Sequence, residues 1–158
     1  QKLHAEQPGF VLDLVGFFED EYKQQVTQLE QEGVVVFHGF QREPRPFYAA
    51  ADCVVLPSWH EGMSNVLLEA AATGRPVITS DIPGCREAVD DGVSGILVPV
   101  RDREAQYQAM KRMLGMSADA RARMGRAGRR KMEQEFRKEA VVAETIRALG
   151  LGIREEVR

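Results

Sequence analysis

Cysteine is scarce in this chain: Cys53 and Cys85 are the only two among 158 residues. They stand far apart, with no CxxC pair, so neither a disulfide framework nor a cysteine-built zinc site is supported, and a reduced, cytoplasmic thiol state is the default. No apolar run approaches the roughly 20 residues of a membrane-spanning helix. The first residues lack the charged region, apolar region and cleavage site of a secretory signal. There is no internal repeat, no low-complexity linker and no DxD-like cluster of acids. What remains is an ordinary globular composition, 44 % hydrophobic and 28 % charged, in a length that predicts one domain with room for a core. We expect that domain over residues 1–150, with a frayed tail over 151–158. The chain begins at Gln1 rather than methionine, as expected of a piece of a longer protein.

Charge is unevenly distributed. Residues 1–100 hold 6 basic and 15 acidic side chains, net −9, whereas residues 101–158 hold 15 basic and 9 acidic ones, net +6. The plain interpretation is solvated faces of Arg-rich helices. The alternative is contact with an acidic partner or, peripherally, with an anionic membrane surface. Nothing in the pattern calls for nucleic acid.

Short apolar runs alternate with helical patterns. FVLDLVG (10–16), VVVFHG (34–39), DCVVLP (52–57), RPVITS (75–80) and SGILVPV (94–100) read as strands ended by glycine or proline. DCVVLP is continuous enough to suggest burial on both faces of a parallel sheet. Residues 19–33, 44–51 and 64–74 read as helices, the last capped by Ser64 and stopped by Gly74. Pro83 and Gly84 turn into a short helix. From Asp102 onward only helices remain, with apolar faces marked by Met110, Met113 and Leu114, then Met124, Met132 and Phe136, then Val141, Val142, Ile146 and Leu149. Strand and helix in repeated alternation predict a doubly wound, Rossmann-like α/β fold with extra C-terminal helices.

The segment EGMSNVLLEA (61–70) follows DCVVLPSWH. In open α/β sheets ligands bind beyond the carboxyl ends of the strands. A helix that starts there offers unpaired N–H groups and the positive end of its dipole to a phosphate. Gly62 allows close approach of the backbone, so Gly62, Met63, Ser64 and Asn65 are candidate phosphate donors. Carboxylates accept hydrogen bonds only, and their two oxygens suit a vicinal diol. Glu61 and Glu69 are therefore candidate hydroxyl readers at two ends of one elongated ligand, about 12 Å apart along the chain if all of it were helical. Either acid alone reads as a dipole-favoured surface residue. The pair, with glycine between and an apolar strand before, favours a ligand shaped like a nucleoside diphosphate sugar.

These residues resemble the Glu, seven residues, Glu motif of retaining GT-B glycosyltransferases, family 4 (group 1). The likeness covers nearly the whole chain: VVVFHGF, the run YAAADCVVLPSWHEGMSNVLLEAAATGRPVITSDIPGCREAVDDGVSGILVPVRD, and MGRAGRRKMEQEF look like that family's C-terminal domain. The resemblance implies a donor-binding half for a UDP-, GDP- or ADP-sugar. A saccharide or lipid-linked acceptor would be held by an N-terminal domain of the same parent chain. Glu61 would be the catalytic acid that contacts the donor sugar, and Glu69 would hold the ribose diol. Gly62, Met63, Ser64 and Asn65 would line phosphate and sugar, and Gly39 and Phe40 would lie beside the nucleobase. No metal and no further cofactor are implied, and the setting is the cytoplasm or the inner face of a membrane. His60 reads as rim or surface, His38 as a sheet-end residue, and Gly84 and Glu87 belong to the next βα turn.

The likeness departs in one respect. The family's domain opens with a further strand, whose loop carries a glycine and an arginine, and a lysine follows; the two cations neutralise the diphosphate. No such segment precedes FVLDLVG, and Arg75 and Arg86 do not match those positions. In the order 3-2-1-4-5-6 that strand would stand between FVLDLVG and DCVVLP, which either leave it out or close the gap directly. Without the cations this chain alone is expected to be inactive. A noncatalytic nucleotide-binding or packing module of the same fold is the alternative.

Overall fold

The computed structural model describes residues 1–150. The expected frayed tail, 151–158, lies outside the described residues. Among the described residues fourteen elements appear, strands alternating with helices as far as residue 98 and helices alone after it, and they form two compact units that divide between Phe47 and Tyr48, where the sequence reads as one domain.

The first unit holds α1 (Lys2–Glu6), β1 (Leu12–Val15), α2 (Lys23–Gln31) and β2 (Val35–Gly39). Strands β1 and β2 pair in parallel from Leu12↔Val35 to Leu14↔Phe37, and the register then shifts so that Val15 faces Gly39. Leu3, Val26, Val34 and Val35 form its buried apolar set. The strand-end histidine, His38, bridges to the neighbouring strand through Asp13 (Nε2 to Oδ1, 2.6 Å). Helix α1 was not foreseen, because five residues give no periodicity to detect.

Helix α3 (Arg45–Ala50) runs across the division. The second unit then contains β3 (Val54–Leu56), α4 (Asn65–Ala72), β4 (Val77–Ser80), β5 (Gly95–Val98), α5 (Arg103–Gly115), α6 (Ala118–Glu135) and α7 (Lys138–Ala148), with single turns of 3₁₀ helix at Asp20–Tyr22 in the first unit and Arg86–Ala88 in the second. Its sheet is parallel in the order β3-β4-β5. Central β4 is buried at all four positions. The edge strand β3 is only half-buried, which corrects the expectation of burial on both faces: a strand with a neighbour on one side keeps part of its surface open. The strands thus lie in a two-stranded and a three-stranded sheet, and β1 and β3 do not close the gap by direct pairing.

Two apolar clusters flank the three-stranded sheet. One joins Tyr48, Leu67, Ala70, Val77, Ile82, Cys85, Ala88 and Val89, and the other joins Ile78, Ile96, Val98, Ala109, Met113 and Met124. Helix α4 ends as its sequence implies: Gly74 adopts φ +74°, and the N–H groups of Gly74 and Arg75 donate back to Ala71 and Ala70 O at 2.9 and 3.0 Å, the bond pair of a Schellman stop. Asp102 and Ser117 cap α5 and α6 through side-chain bonds to Ala105 and Ala120 N–H. Of the expected helical faces, Met113, Met124 and Met132 are buried, but Leu114, Val141, Val142 and Leu149 are exposed, and α7 buries no residue.

Candidate functional site

The loop from Pro57 to Ser64 leaves the carboxyl end of β3 and delivers the chain into α4. Its start is held by Thr79, whose hydroxyl donates to Leu56 O at 2.8 Å from the neighbouring strand. Within the loop, Ser58 Oγ donates to Glu61 Oε1 at 2.7 Å. Glu61 is half-buried, and this bond holds one of its oxygens and leaves the second over.

The next strand, β4, ends in a turn that presses on this loop. Gly84 has φ +86°, and a Cβ there would stand 1.6 Å from Gly62 O and 2.9 Å from Glu61 O. Only a residue without a side chain permits this approach. Gly84 O accepts the Ser64 N–H at 3.0 Å, and Gly84 N–H donates to Glu87 Oε2 at 2.7 Å. Glu87 is thus the acid that braces its own turn, as a helix-start residue. Cys85, fully buried beneath, has its thiol pushed up by burial, opposed by a hydrogen bond with Thr79 and reinforced by the charges of Glu61 and Glu87. Glu61, Gly62, Ser64, Gly84 and Glu87 therefore form one corner.

Two details differ from the sequence expectation. Ser64 occupies the position before α4 but makes no side-chain cap and is buried. Its backbone N–H is taken by Gly84, so Ser64 is withdrawn as a phosphate donor and serves to fasten the two turns. What remains open at the head of α4 are first-turn amides beginning at Asn65, which a helix leaves without internal partners. Gly62, Met63 and Asn65 are all exposed.

Glu69 lies on the second turn of α4 and is exposed. Its partner is Tyr48, whose hydroxyl is pushed up to about 12 by burial first, then by its hydrogen bond to Glu69 and by that carboxylate's charge. Sequence reasoning missed Tyr48 and Ser58. Ser58 holds Glu61 and Tyr48 lies close enough to Glu69 to feel its charge, but Tyr48 reads simply as a residue of the helix PRPFYAAA and Ser58 as loop.

In the first unit, Gly39 takes φ +65° at the end of β2, and its carbonyl accepts from Gly16 N–H at 2.9 Å. Phe40 follows, and its ring stacks on Phe17 with centroids 4.9 Å apart and planes within 6°. Both rings are largely exposed. His60 is exposed. Among the described residues no group of three or more His, Cys, Asp or Glu side chains is placed to hold a metal ion, and no helix is long and apolar enough to cross a membrane.

A family model described as "Glycosyl transferases group 1" matches residues 1–116. The lipopolysaccharide core biosynthesis glycosyltransferase LpsE of Rhizobium meliloti (strain 1021) is 34 % identical over 139 residues, which is 87 % of this chain and 41 % of that protein. Among solved structures, sucrose-phosphate synthase from Thermosynechococcus elongatus superposes with a TM-score of 0.79 at 28 % identity, covering 95 % of this chain and 40 % of that one. Anabaena HepE, solved in complex with UDP-glucose, gives 0.77 at 26 %, covering 96 % and 44 %. The chain thus spans about two-fifths of the length of these relatives. Their fold is the Rossmann-like α/β arrangement of parallel strands and flanking helices described above. With a family match over 116 of 158 residues, and with that fold beneath it, the chain belongs to the group 1 glycosyl transferases.

Proposed function

We propose that this chain is the donor-binding half of a retaining glycosyltransferase. It would bind a nucleoside diphosphate sugar whose glycosyl group passes to a saccharide or lipid-linked acceptor held by the rest of a longer protein. One observation carries this reading. Two carboxylates, Glu61 held by the Ser58 hydroxyl and Glu69 beside the buried Tyr48 hydroxyl, flank a glycine-fitted turn at the head of α4. Likeness to an Anabaena protein solved with UDP-glucose supports the donor class.

Each part has a task. The free oxygen of Glu61 accepts from a donor-sugar hydroxyl and orients the reacting carbon, while Ser58 keeps the carboxylate from swinging into solvent. Amides of Gly62, Met63 and Asn65, aided by the α4 dipole, meet the diphosphate. Glu69 takes the ribose diol, with Tyr48 fixing one of its oxygens. Gly39 and Phe40 stand for the nucleobase, with Phe17 stiffening the Phe40 ring. Anion stabilisation is assigned to backbone donors, so the proposal includes no metal. We further place the protein on the cytoplasmic side, with the basic α6 compatible with a peripheral anionic surface.

A noncatalytic module is favoured by one observation. Arg75 donates to Ala49 O at 2.7 Å, and Arg86 pairs with Asp81 at 2.9 Å, so these two cations are already engaged. The test is calorimetric titration of the chain with UDP, GDP and ADP. We expect one of them to bind and Glu69→Ala to weaken it at least tenfold; unchanged affinity in that variant removes the ribose role. In the protein at its relatives' length, Glu61→Ala should reduce kcat far more than it weakens nucleoside diphosphate binding. Turnover within a few-fold of the parent would remove the sugar-orienting role of Glu61, whereas a parent that binds nucleotide but transfers no sugar would leave the noncatalytic reading.

A further inference from the structure

Trp59 and Arg101 belong to neither the acid pair nor the core. Trp59 is 66 % exposed and lies two residues before Glu61, in the loop that follows β3. Arg101 follows β5, in the turn Pro99–Asp102 closed by Asp102 N–H donating to Pro99 O at 3.2 Å. Both loops leave the carboxyl ends of parallel strands, the side on which such sheets hold ligands. The Arg101 guanidinium carbon stands 4.4 Å over the Trp59 ring centroid.

Arg101 has φ +63° and is the single non-glycine residue in the left-handed region among the described residues. Its place in the turn is the one at which glycine is free of strain and a side chain is not. A cation–π contact at an exposed site is of the same small size as that strain, so the pair gives the turn no net stability over glycine. No carboxylate among the described residues pairs with Arg101, and its charge stays available. The Trp59 ring keeps most of its surface in water although one face is covered. Residues held in unfavourable backbone conformations gather at ligand clamps.

We infer that Trp59 and Arg101 form a subsite for a saccharide bearing an anionic group, either a carboxylate or a phosphate, beside the position proposed for the donor sugar. The C–H face of a pyranose ring carries partial positive charge and meets the negative face of an indole. The sugar takes the face that Arg101 leaves open, and the guanidinium, at the ring's other face, pairs past the ring edge with an oxyanion on that sugar through two parallel N–H donors. The inference rests on the carbohydrate-handling function proposed above and adds to it the charge of one saccharide.

Trp59 is the only tryptophan in the chain, so its fluorescence reports on this site alone. The chain is titrated with glucose, glucuronate, glucose 6-phosphate, inorganic phosphate and acetate. One of the two anionic sugars should saturate the emission change at a concentration at least tenfold lower than glucose and than its parent anion. The responding sugar shows whether carboxylate or phosphate is recognised. Arg101→Gly, which suits the backbone and leaves the fold intact by circular dichroism, should bring that sugar within about twofold of glucose. The inference is overturned if neither anionic sugar outperforms glucose, if inorganic phosphate or acetate alone matches the sugar, or if Arg101→Gly keeps the preference. No nucleotide enters the experiment, so its outcome is separate from that of the calorimetric test.

Discussion

A methyl group on Gly84 would meet the Gly62 carbonyl oxygen at 1.6 Å, on a backbone with φ +86°. Both penalties act on folding, since no contact is gained in exchange. Gly84→Ala should cost about 3 kcal/mol or more, read as a lower urea midpoint with an unchanged slope. Tyr48 gives a prediction of a different kind. Burial first pushes its folded pKa up to about 12, above the usual tyrosine value of 10.0, so the native state favours the neutral phenol. This contribution is complete below pH 10 and is lost as pH rises through the folded value. Compared with Tyr48→Phe, the parent should lose stability between pH 10 and 12, by less than the roughly 1.4 kcal/mol per unit that an unscreened group would give. The same comparison at neutral pH isolates the bond to Glu69, and weaker nucleotide binding in the variant would support the bracing role. The thiols behave alike: burial pushes Cys53 up to about 12, with Arg121 opposing and Asp52 adding to the shift, and Cys85 is also raised. Both should react slowly with a disulfide reagent at pH 8 in the native chain, and both quickly in urea. Glu61 and Glu69 were legible in the sequence because spacing and a glycine mark them. Ser58 and Tyr48 were not, because a hydroxyl that braces a carboxylate leaves no pattern along the chain.

Helices α4 and α6 meet through their backbones. A Cβ on Gly125 would stand 1.9 Å from Gly74 O, whereas one on Gly128 would touch Ala71 Cβ at an ordinary 3.4 Å. Glycine in mid-helix costs roughly 0.5–1 kcal/mol against alanine, so the two positions should answer in opposite directions. Gly128→Ala should be neutral or stabilising by up to about 1 kcal/mol. Gly125→Ala should destabilise by about 2–3 kcal/mol, because α6 must back away from the end of α4. Thermal unfolding of both variants checks the pair. Elsewhere α6 is fastened by Arg121, which donates to Met116 O and pairs with Asp52 at 3.1 Å, and by Lys131, which reaches Asp90 and Glu135 at 3.0 and 2.9 Å. Part of the basic charge of this segment is therefore employed in holding helices rather than displayed. Element type was readable wherever glycine or proline bounded an apolar run: the five strands of the described residues appear where their runs predict them. Burial was less readable. Leu114 and the valines of α7 carry the apolar period of a core face and yet stand in water, since periodicity records which side of a helix could be covered, not whether anything covers it.

The buried apolar surface is concentrated in the second unit, around β4. The first unit relies on four buried residues and a two-stranded sheet, and two strands alone are marginal. Native-state hydrogen exchange should find the β4 amides slowest in the chain and those of β1 and β2 exchanging much sooner. Similar protection in both sheets would refute that ranking. The alternation of strand and helix foretold the fold class, which the likeness to group 1 enzymes bears out. The division into a two-stranded and a three-stranded sheet is one of the two outcomes expected where the central strand is missing, and the sequence left the choice open because pairing partners are chosen in space and a sequence run names none of them. In the three-stranded sheet every strand points the same way. The turns after β3, β4 and β5 therefore open on one side, where Trp59, Glu61, Gly84, Glu87 and Arg101 all lie. The opposite connections, together with the bonds by which Arg121 and Lys131 of α6 fasten that helix to the segments at Asp52 and Asp90, keep the scaffold together. An evolving lineage of such chains can thus rewrite its chemical preferences at one pole, residue by residue, while the pole that secures folding keeps its inherited form.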